Sequence, residues 1–432
     1  MPMFRLKGML GNAGLLMLSG VAAQTINLLA YPLLTQLYAP AAFGIFAAFL
    51  SVATLVGSAI CLRLDMVFQV VPSDEERSVF LAALATLTCV ALALVVIVWA
   101  SSDFVLPVFG ADAVDQMPPL MWAVLLVLTG GLIGLTALGR QVRSKWVNYR
   151  RLAGAQVART VVAVLMQIGV FWLVPGFLGL TLGFLSGLII FCLLTLPLSM
   201  TGFLGDQNLV SPGKVLMKHQ AFIRTDVVNI LISAAVMAMY PIVVLALFGA
   251  EKAGFFALAS RLSFIPVEFL GAAISTVFFQ QFSQSMRLKE DTLSLFKRTL
   301  CTGFLASLAV ALGFLVLSDA FVRFLFQPSW APTTGLIIAL LPTMIVRFYI
   351  GCIGSVPLTL KKPGLIFVWN IAQLAILGAV TMVTTQLDLS IESFLWASGS
   401  CLFLASLVYT AVLWQAIRSH VQILVSEEVS VD

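Results

Sequence analysis

Long apolar segments, each close to 20 residues and separated by short polar turns, repeat along almost the whole chain. An α-helix of this length crosses the hydrocarbon core of a membrane. Membrane barrels instead show strands of about 10 residues with alternating apolar and polar positions, and we see no such alternation. The pattern predicts an all-α polytopic membrane protein with twelve spans, at 11–37, 42–62, 79–100, 117–138, 151–173, 177–200, 225–249, 254–280, 299–317, 333–354, 363–384 and 391–417.

Two stretches with the same layout predict a duplicated architecture. Tyr-Pro pairs at 31–32 and 240–241 end one apolar segment, and Gly44 and Gly254 open the next one, 13 and 14 residues later. Each copy holds six spans, an even number, so both copies enter the membrane from the same side. We expect two six-helix bundles related by a pseudo-two-fold axis along the membrane normal. The predicted boundaries are 1–203 for the first bundle, 204–223 for a cytosolic linker and 224–432 for the second bundle.

The distribution of basic residues predicts the orientation of the spans. Most of the 24 lysines and arginines fall in loops on one side, and the loops on the other side hold only Lys252 and Arg323. Basic loops stay in the cytosol, so both termini are expected there. The first apolar run continues to Leu37, which is too long for a signal peptide, and we interpret it as an uncleaved first span. The net charge of +5 is then a topology signal rather than a sign of a nucleic-acid partner.

Composition excludes several kinds of site. The chain is 61% hydrophobic and 10% charged, whereas soluble domains average about 25% charged residues. Its six cysteines are scattered singly in apolar runs, and its two histidines lie in charged segments. This pattern predicts neither disulfides nor a metal site, and we expect no cofactor.

Pro32 and Pro241 occupy equivalent positions near the ends of spans 1 and 7. A proline inside a helix removes a hydrogen bond and bends the helix. The pair is therefore a candidate for gating, and the alternative is that prolines are simply frequent in membrane helices.

Several motifs carry a family resemblance. Residues 37–44 read LYAPAAFG, residues 62–65 and 71–76 read LRLD and VPSDEE, and residues 326–330 read FQPSW. Arg261 is followed by a proline, a glycine and the sequence VFFQ. Together these motifs resemble those of the bacterial polysaccharide (O-antigen type) flippases of the multidrug/oligosaccharidyl-lipid/polysaccharide (MOP) exporter superfamily. Two alanines at 41–42 replace the acidic pair of the family signature, and Asp65 replaces a glutamate.

The resemblance implies a transporter without a catalytic centre. Its substrate would be an undecaprenyl-diphosphate-linked oligosaccharide, which alternating access carries from the cytosolic to the periplasmic leaflet of the bacterial inner membrane. The product would serve O-antigen, lipopolysaccharide or exopolysaccharide synthesis, beside a polymerase and glycosyltransferases. Membrane lipids surround such a protein, and a proton or sodium ion is the implied coupling ion.

Four charged residues lie inside predicted spans, where each charge costs at least about 2.5–3.5 kcal/mol on insertion scales. Arginine offers forked donors that suit phosphate, so we expect Arg159 and Arg347 to hold the diphosphate on the cytosolic side and Arg261 to receive it on the other. Glu268 is the candidate for ion coupling. For each of these residues, a structural tie to a neighbouring helix is the alternative.

Two further groups of polar residues are candidates. Gln24, Asn27 and Tyr31 form a stripe on one face of span 1 and suit hydrogen bonding to sugars, with helix–helix contact as the alternative. A basic cluster follows span 4 and serves orientation and lipid contact, or captures the lipid diphosphate; it comprises Arg140, Arg143, Lys145, Arg150 and Arg151.

Two other functions remain open. A multidrug/cation antiporter of the same superfamily would be expected to place an acidic residue in the first bundle, and span 1 has neither aspartate nor glutamate. A membrane-embedded glycan polymerase or transferase would need a sizeable outer loop with catalytic residues. The longest outer loops, 101–116 and 318–332, are short.

Overall fold

The computed structural model describes residues 2–110, 117–197, 210–288 and 291–429, which form helices and turns and include no β-strand. The helices of spans 1–6 are Pro2–Leu37, Pro40–Ala59, Glu76–Ala100, Pro119–Lys145, Tyr149–Val170 and Phe177–Thr195. Those of spans 7–12 are Gln220–Leu288 for spans 7 and 8, Thr292–Leu325, Thr333–Ala339 with Leu341–Ile353, Gly364–Leu387, and Ile391–Val429. Shorter helices are Leu64–Val70, Ser102–Val105, Pro212–Lys218 and Val356–Thr359, and 3-10 turns form at Leu106–Phe109 and Pro328–Trp330.

The prediction of twelve spans is confirmed. Eleven helices of the described chain are long and apolar enough to cross a membrane, and Gln220–Leu288 holds two spans. At Gly249 the backbone turns out of the helix, with φ 84° and ψ 171°. Glycine reaches this region of φ without steric cost because it lacks a β-carbon. The chain is a multi-pass, all-helical membrane protein.

The helices of two spans end later than the sequence predicts. Span 4 continues seven residues past its predicted end to Lys145, and span 12 continues past residue 417 to Val429. The hydropathy pattern misses both extensions because a helix that leaves the hydrocarbon layer becomes polar without ending. The predicted linker falls partly outside the described residues, which resume at Val210.

The chain forms two compact units, Met1–Gly254 and Phe255–Asp432. In unit 1, spans 5 and 6 pack tightly because glycines face span 5. A β-carbon at Gly187 would lie 2.5 Å from the Arg159 carbonyl oxygen and 2.8 Å from the Ala163 β-carbon. In unit 2, the rings of Trp369 and Tyr409 stack with centroids 4.8 Å apart. The division into bundles at 1–203 and 224–432 remains a prediction.

Lysine 145 holds the short helix Leu64–Val70 against the end of span 4. Its Nζ donates hydrogen bonds to the carbonyl oxygens of Phe68, at 2.8 Å, and of Val71, at 2.5 Å. The same ammonium lies 3.0 Å from the Glu76 carboxylate, which also accepts a hydrogen bond from the Trp146 indole at 3.0 Å. The lysine satisfies carbonyls at the end of this helix and neutralises the buried Glu76 carboxylate, so it fixes the segment between spans 2 and 3.

Arg63 connects this segment to the start of span 7. Its Nε lies 2.5 Å from Asp226 Oδ2, and its Nη1 lies 3.6 Å from Asp65 Oδ2. Burial raises the pKa of Asp65 above its usual value of 3.8, and the attraction of Arg63 offsets only part of this rise. The two aspartates therefore share one guanidinium, and Asp65 is the more deeply buried of the two.

We expect Asp65→Asn to leave the protein at least as stable as wild type at pH 7. A carboxyl whose pKa is raised by folding stabilises the fold when protonated, and this contribution is lost as the pH rises through the raised value. The stability of wild type relative to Asp65→Asn should therefore increase as the pH falls toward 3.8. Thermal unfolding in detergent across this pH range measures the difference.

Asp226→Asn is the matched control, since it removes the other carboxylate of the same arginine. Because Asp226 is 30% exposed, its loss should cost only about 1 kcal/mol at pH 7. A larger loss of stability for Asp65→Asn than for Asp226→Asn at neutral pH would contradict the prediction.

Candidate functional site

Arg159 lies in the middle of span 5, ten residues or about 15 Å from the start of its helix at Tyr149. The side chain is half-buried, and its guanidinium carbon lies 5.5 Å from the centre of the Phe184 ring of span 6. Phe184 in turn packs edge-on against Phe46 of span 2, with centroids 6.0 Å apart. The arginine therefore reaches toward spans 2 and 6 inside unit 1.

Arg140 of span 4 is an electrostatic neighbour of Arg159. Among the described residues, neither guanidinium has a carboxylate within ion-pair distance. Two positive charges repel each other, and the repulsion grows where the effective dielectric constant is low. An anion near both guanidiniums would offset this repulsion.

The sequence pattern places Arg140 in the basic cluster after span 4 and does not reveal its interaction with Arg159. Hydropathy ends span 4 at residue 138, whereas the helix continues through Arg140 to Lys145. We call Arg140 and Arg159 the arginine pair of unit 1.

Two other members of the basic cluster have structural partners. Arg143 is fully buried, and its Nη2 donates to the Leu196 carbonyl oxygen at 3.3 Å. Arg151 Nε donates to the Leu194 carbonyl oxygen at 2.6 Å. Both carbonyls lie at the end of span 6, where a helix has unsatisfied acceptors and a partial negative charge. These arginines cap the helix, and they are therefore distinct from the arginine pair.

Unit 2 brings three of the predicted site residues to one place. The Arg347 guanidinium of span 10 lies over the Phe264 ring of span 8, with its carbon 4.3 Å from the ring centre. Arg261, Phe264 and Glu268 follow at i, i+3 and i+7, so they share one face of span 8. Arg261 and Glu268 are exposed and form no ion pair with each other or with other described residues. Arg261 and Glu268 thus share the face of span 8 whose Phe264 ring the Arg347 guanidinium contacts.

The polar stripe of span 1 is half-buried at Gln24, Asn27 and Tyr31. Tyr31 lies beside Phe43 of span 2, with ring centroids 6.4 Å apart. Pro32 lies inside its helix, and its carbonyl oxygen accepts a hydrogen bond from the Thr35 hydroxyl at 3.1 Å.

Pro241 likewise lies inside a helix, in the span 7 part that precedes the break at Gly249. The structure places the stripe and Pro32 in unit 1 with the arginine pair, and Arg261, Arg347 and Glu268 in unit 2. The described part of the chain contains no cluster of three histidine, cysteine or acidic side chains that could hold a metal ion.

Solved structures with the same fold are transport proteins rather than enzymes. The chain is similar to "Lipid II flippase MurJ, inward closed conformation", with a TM-score of 0.73 and 14% identity over 93% of this chain and 87% of that one. It is also similar to a multidrug resistance MATE family transporter of the MOP superfamily in its inward-facing conformation, with a TM-score of 0.59 and 14% identity over 93% of this chain and 96% of that one. The outward-facing MATE conformation gives the same TM-score and identity, over 95% and 94% of the two chains. No curated protein matches the sequence.

The family comparison covers most of the chain. Residues 33–334 match the family described as "Polysaccharide biosynthesis protein", which is more than half of the 432 residues. The matched range contains the arginine pair, the Leu64–Val70 segment and all of spans 2 to 9. The chain therefore belongs to the polysaccharide biosynthesis protein family and has the fold of the MOP superfamily.

Proposed function

We propose that this protein moves a polyprenyl-diphosphate-linked oligosaccharide from the cytosolic to the periplasmic leaflet of the bacterial inner membrane. The main supporting observation is the arginine pair of unit 1, in which Arg159 lies in the middle of span 5 and Arg140 lies near the end of the span 4 helix. Neither guanidinium has a carboxylate partner among the described residues. The family and the flippase fold support a lipid-linked substrate. The glycan would belong to a surface polysaccharide such as O-antigen, lipopolysaccharide or exopolysaccharide.

The headgroup is the part of such a substrate that cannot cross a membrane unaided. Moving a single ion from water into a medium of low dielectric constant costs of order 20 kcal/mol in the Born limit. Arginine reduces this cost because it stays charged and offers forked donors to phosphate oxygens. The Arg159 guanidinium carbon lies 5.5 Å from the centre of the Phe184 ring, and its N–H groups would donate to the phosphate oxygens.

The candidate phosphate contacts lie at different distances from the ends of their own helices. Arg159 and Arg140 lie about 15 Å and about 7 Å from the ends of their helices on the side rich in basic loops. Arg261 lies seven residues, or about 10 Å, from Gly254 near the opposite side. In the proposed cycle Arg159 and Arg347 hold the diphosphate while the protein is open to the cytosol, and Arg261 receives it when the protein is open to the periplasm. Gln24, Asn27 and Tyr31 hydrogen-bond the sugars.

Alternating access then moves the predicted bundles, 1–203 and 224–432, about the linker 204–223. Pro32 and Pro241 act as the points at which spans 1 and 7 bend, since each lacks the N–H that completes a helical hydrogen bond. Both termini are cytosolic in this proposal, and a polymerase and glycosyltransferases work beside the protein. A multidrug/cation antiporter is the alternative, and it rests on the similarity to MATE folds.

Arg140→Gln and Arg159→Gln should each lower flipping of the lipid-linked oligosaccharide by about 10- to 100-fold, because each loses a charged hydrogen bond worth about 1.5–3 kcal/mol. Lysine at either position should restore part of the activity, since it keeps the charge and loses the fork. Flipping is measured in proteoliposomes with a fluorescent lipid-linked oligosaccharide, and export as surface glycan in a deletion strain.

Arg150→Gln is the matched control, because Arg150 is an exposed arginine from the same basic cluster and should tolerate the change. Normal flipping in both pair variants would overturn the proposed headgroup site. If the deletion strain kept its surface glycan but became sensitive to cationic drugs, the antiporter function would replace the flippase.

Glu268→Gln tests ion coupling. If Glu268 carries a proton or sodium ion, wild-type flipping should respond to an imposed gradient of that ion, and the glutamine variant should lose the response while keeping its fold. The measurement compares flipping rates in proteoliposomes with and without a pH or sodium gradient. Equal rates under all gradients for both proteins would remove Glu268 from the coupling mechanism.

A further inference from the structure

The two glycines of the repeated sequence pattern meet in the structure. Gly44 lies in the first turns of span 2, whose helix begins at Pro40. A β-carbon at Gly44 would overlap the Ala250 carbonyl oxygen and would lie 2.7 Å from the Gly254 nitrogen and 2.9 Å from the Ala253 β-carbon. Real β-carbons essentially never approach other atoms this closely. The backbone of residues 250–254 therefore occupies the space that a side chain at Gly44 would need.

The contact is reciprocal. A β-carbon at Gly254 would overlap the Pro40 carbonyl oxygen and would lie 2.5 Å from the Pro40 carbonyl carbon and 2.9 Å from its α-carbon. We call residues 38–44 tip 1 and residues 249–254 tip 2. Each tip presents a glycine, and the backbone of the other tip packs on that glycine. Other glycines of unit 1, such as Gly187, instead allow neighbouring spans within the predicted first bundle to pack closely.

The two glycines lie at one end of the repeated hairpins, and a different interaction lies at the other end. Both tips are the turns of the repeated hairpin, at the ends of spans where the loops hold almost no basic residues. The opposite ends of the same hairpins are held by a different interaction, the 2.5 Å ion pair between Arg63, which follows span 2, and Asp226, which begins span 7. One end is thus held by close backbone packing and the other end by charge. A change in side-chain size would affect the glycine contact, whereas a change in charge would affect the ion pair.

We propose that tips 1 and 2 form the periplasmic gate, closed in this structure, and that Gly44 and Gly254 determine how far it closes. The inference rests on the proposed function, because only a protein with alternating access needs a gate at this end. A side chain at either glycine holds the tips apart. The substitution then shifts the population toward the state open to the periplasm, in proportion to the free-energy difference it introduces between the two states.

The first test measures access from outside. Gly44→Ala and Gly254→Ala are each combined with Asn27→Cys, a reporter one helical turn below Tyr31, after the six native cysteines are replaced by alanine. Labelling of whole cells by a membrane-impermeant maleimide should be at least several-fold faster than in the Asn27→Cys parent. A larger side chain at Gly44, as in Gly44→Leu, should give the fastest labelling.

Two control glycines separate gating from general loosening. Gly187→Ala also meets atoms closer than 3.0 Å, between spans 5 and 6, whereas Gly20→Ala meets no atom within 4 Å. Gly187→Ala should lower the unfolding temperature without raising the labelling rate, and Gly20→Ala should change neither. Labelling that stays at the parent rate in both tip variants, or that rises equally in Gly187→Ala, would overturn the proposal.

The second test closes the gate covalently. In the same cysteine-free background, Gly44→Cys and Ala253→Cys bring two β-carbons to within the roughly 3.8 Å that a disulfide needs after a small outward shift. Oxidation should stop glycan export and a reductant should restore it, and each single variant should be insensitive to oxidation. Continued export with the disulfide formed would overturn the gate, as would failure of the disulfide to form. Labelling and disulfide formation do not depend on the glycan, so a wrong substrate assignment would leave these two results intact and would change only the export measurement.

Discussion

A charge inside a membrane needs a polar partner or a polar cavity, and this constraint determines where the arginines of this chain lie. Removing an ion from water costs several kcal/mol even after a protein relaxes around it. Arg143 and Arg151 meet the requirement with carbonyl oxygens at the end of span 6. Arg159 has the Phe184 ring and a second arginine. The first two complete a helix end, whereas the last leaves a site that an anion would complete.

The basic residues between 140 and 151 differ in their contacts and therefore in their roles. Lys145 satisfies two carbonyl oxygens and a carboxylate and thereby holds the segment between spans 2 and 3. Arg143 is buried in the unit. Arg140 interacts electrostatically with Arg159, and both Arg140 and Arg150 are exposed. A cluster of basic residues that serves topology as a whole therefore contains one residue with a different environment, and only the three-dimensional contacts reveal it.

The sequence was sufficient for the number of spans and for the repeated hairpins, because a 20-residue apolar segment has one stable form in a membrane. It also identified Arg159, Arg261, Arg347 and Glu268 as candidates, since charges within apolar spans stand out against their neighbours in the sequence. It could not pair residues across helices. The proximity of Arg140 to Arg159 depends on the rotation of spans 4 and 5 about their axes, which packing determines and hydropathy does not. The close contact of Gly44 with residues 250–254 could not be predicted from the sequence for the same reason.

The free energies of these interactions can be compared with the free energy that the proposed transport cycle needs. Two arginines that each gain about 1.5–3 kcal/mol from a phosphate together supply roughly 3–6 kcal/mol. Moving a two-state equilibrium from 1:99 to 99:1 takes about 5.5 kcal/mol of differential binding. Contact between two glycine tips involves little apolar area, so its disruption costs less than the opening of a packed bundle interior. Binding energy at the arginine pair is therefore of the size needed to change which end of the protein is closed, provided that the anion binds one state better than the other.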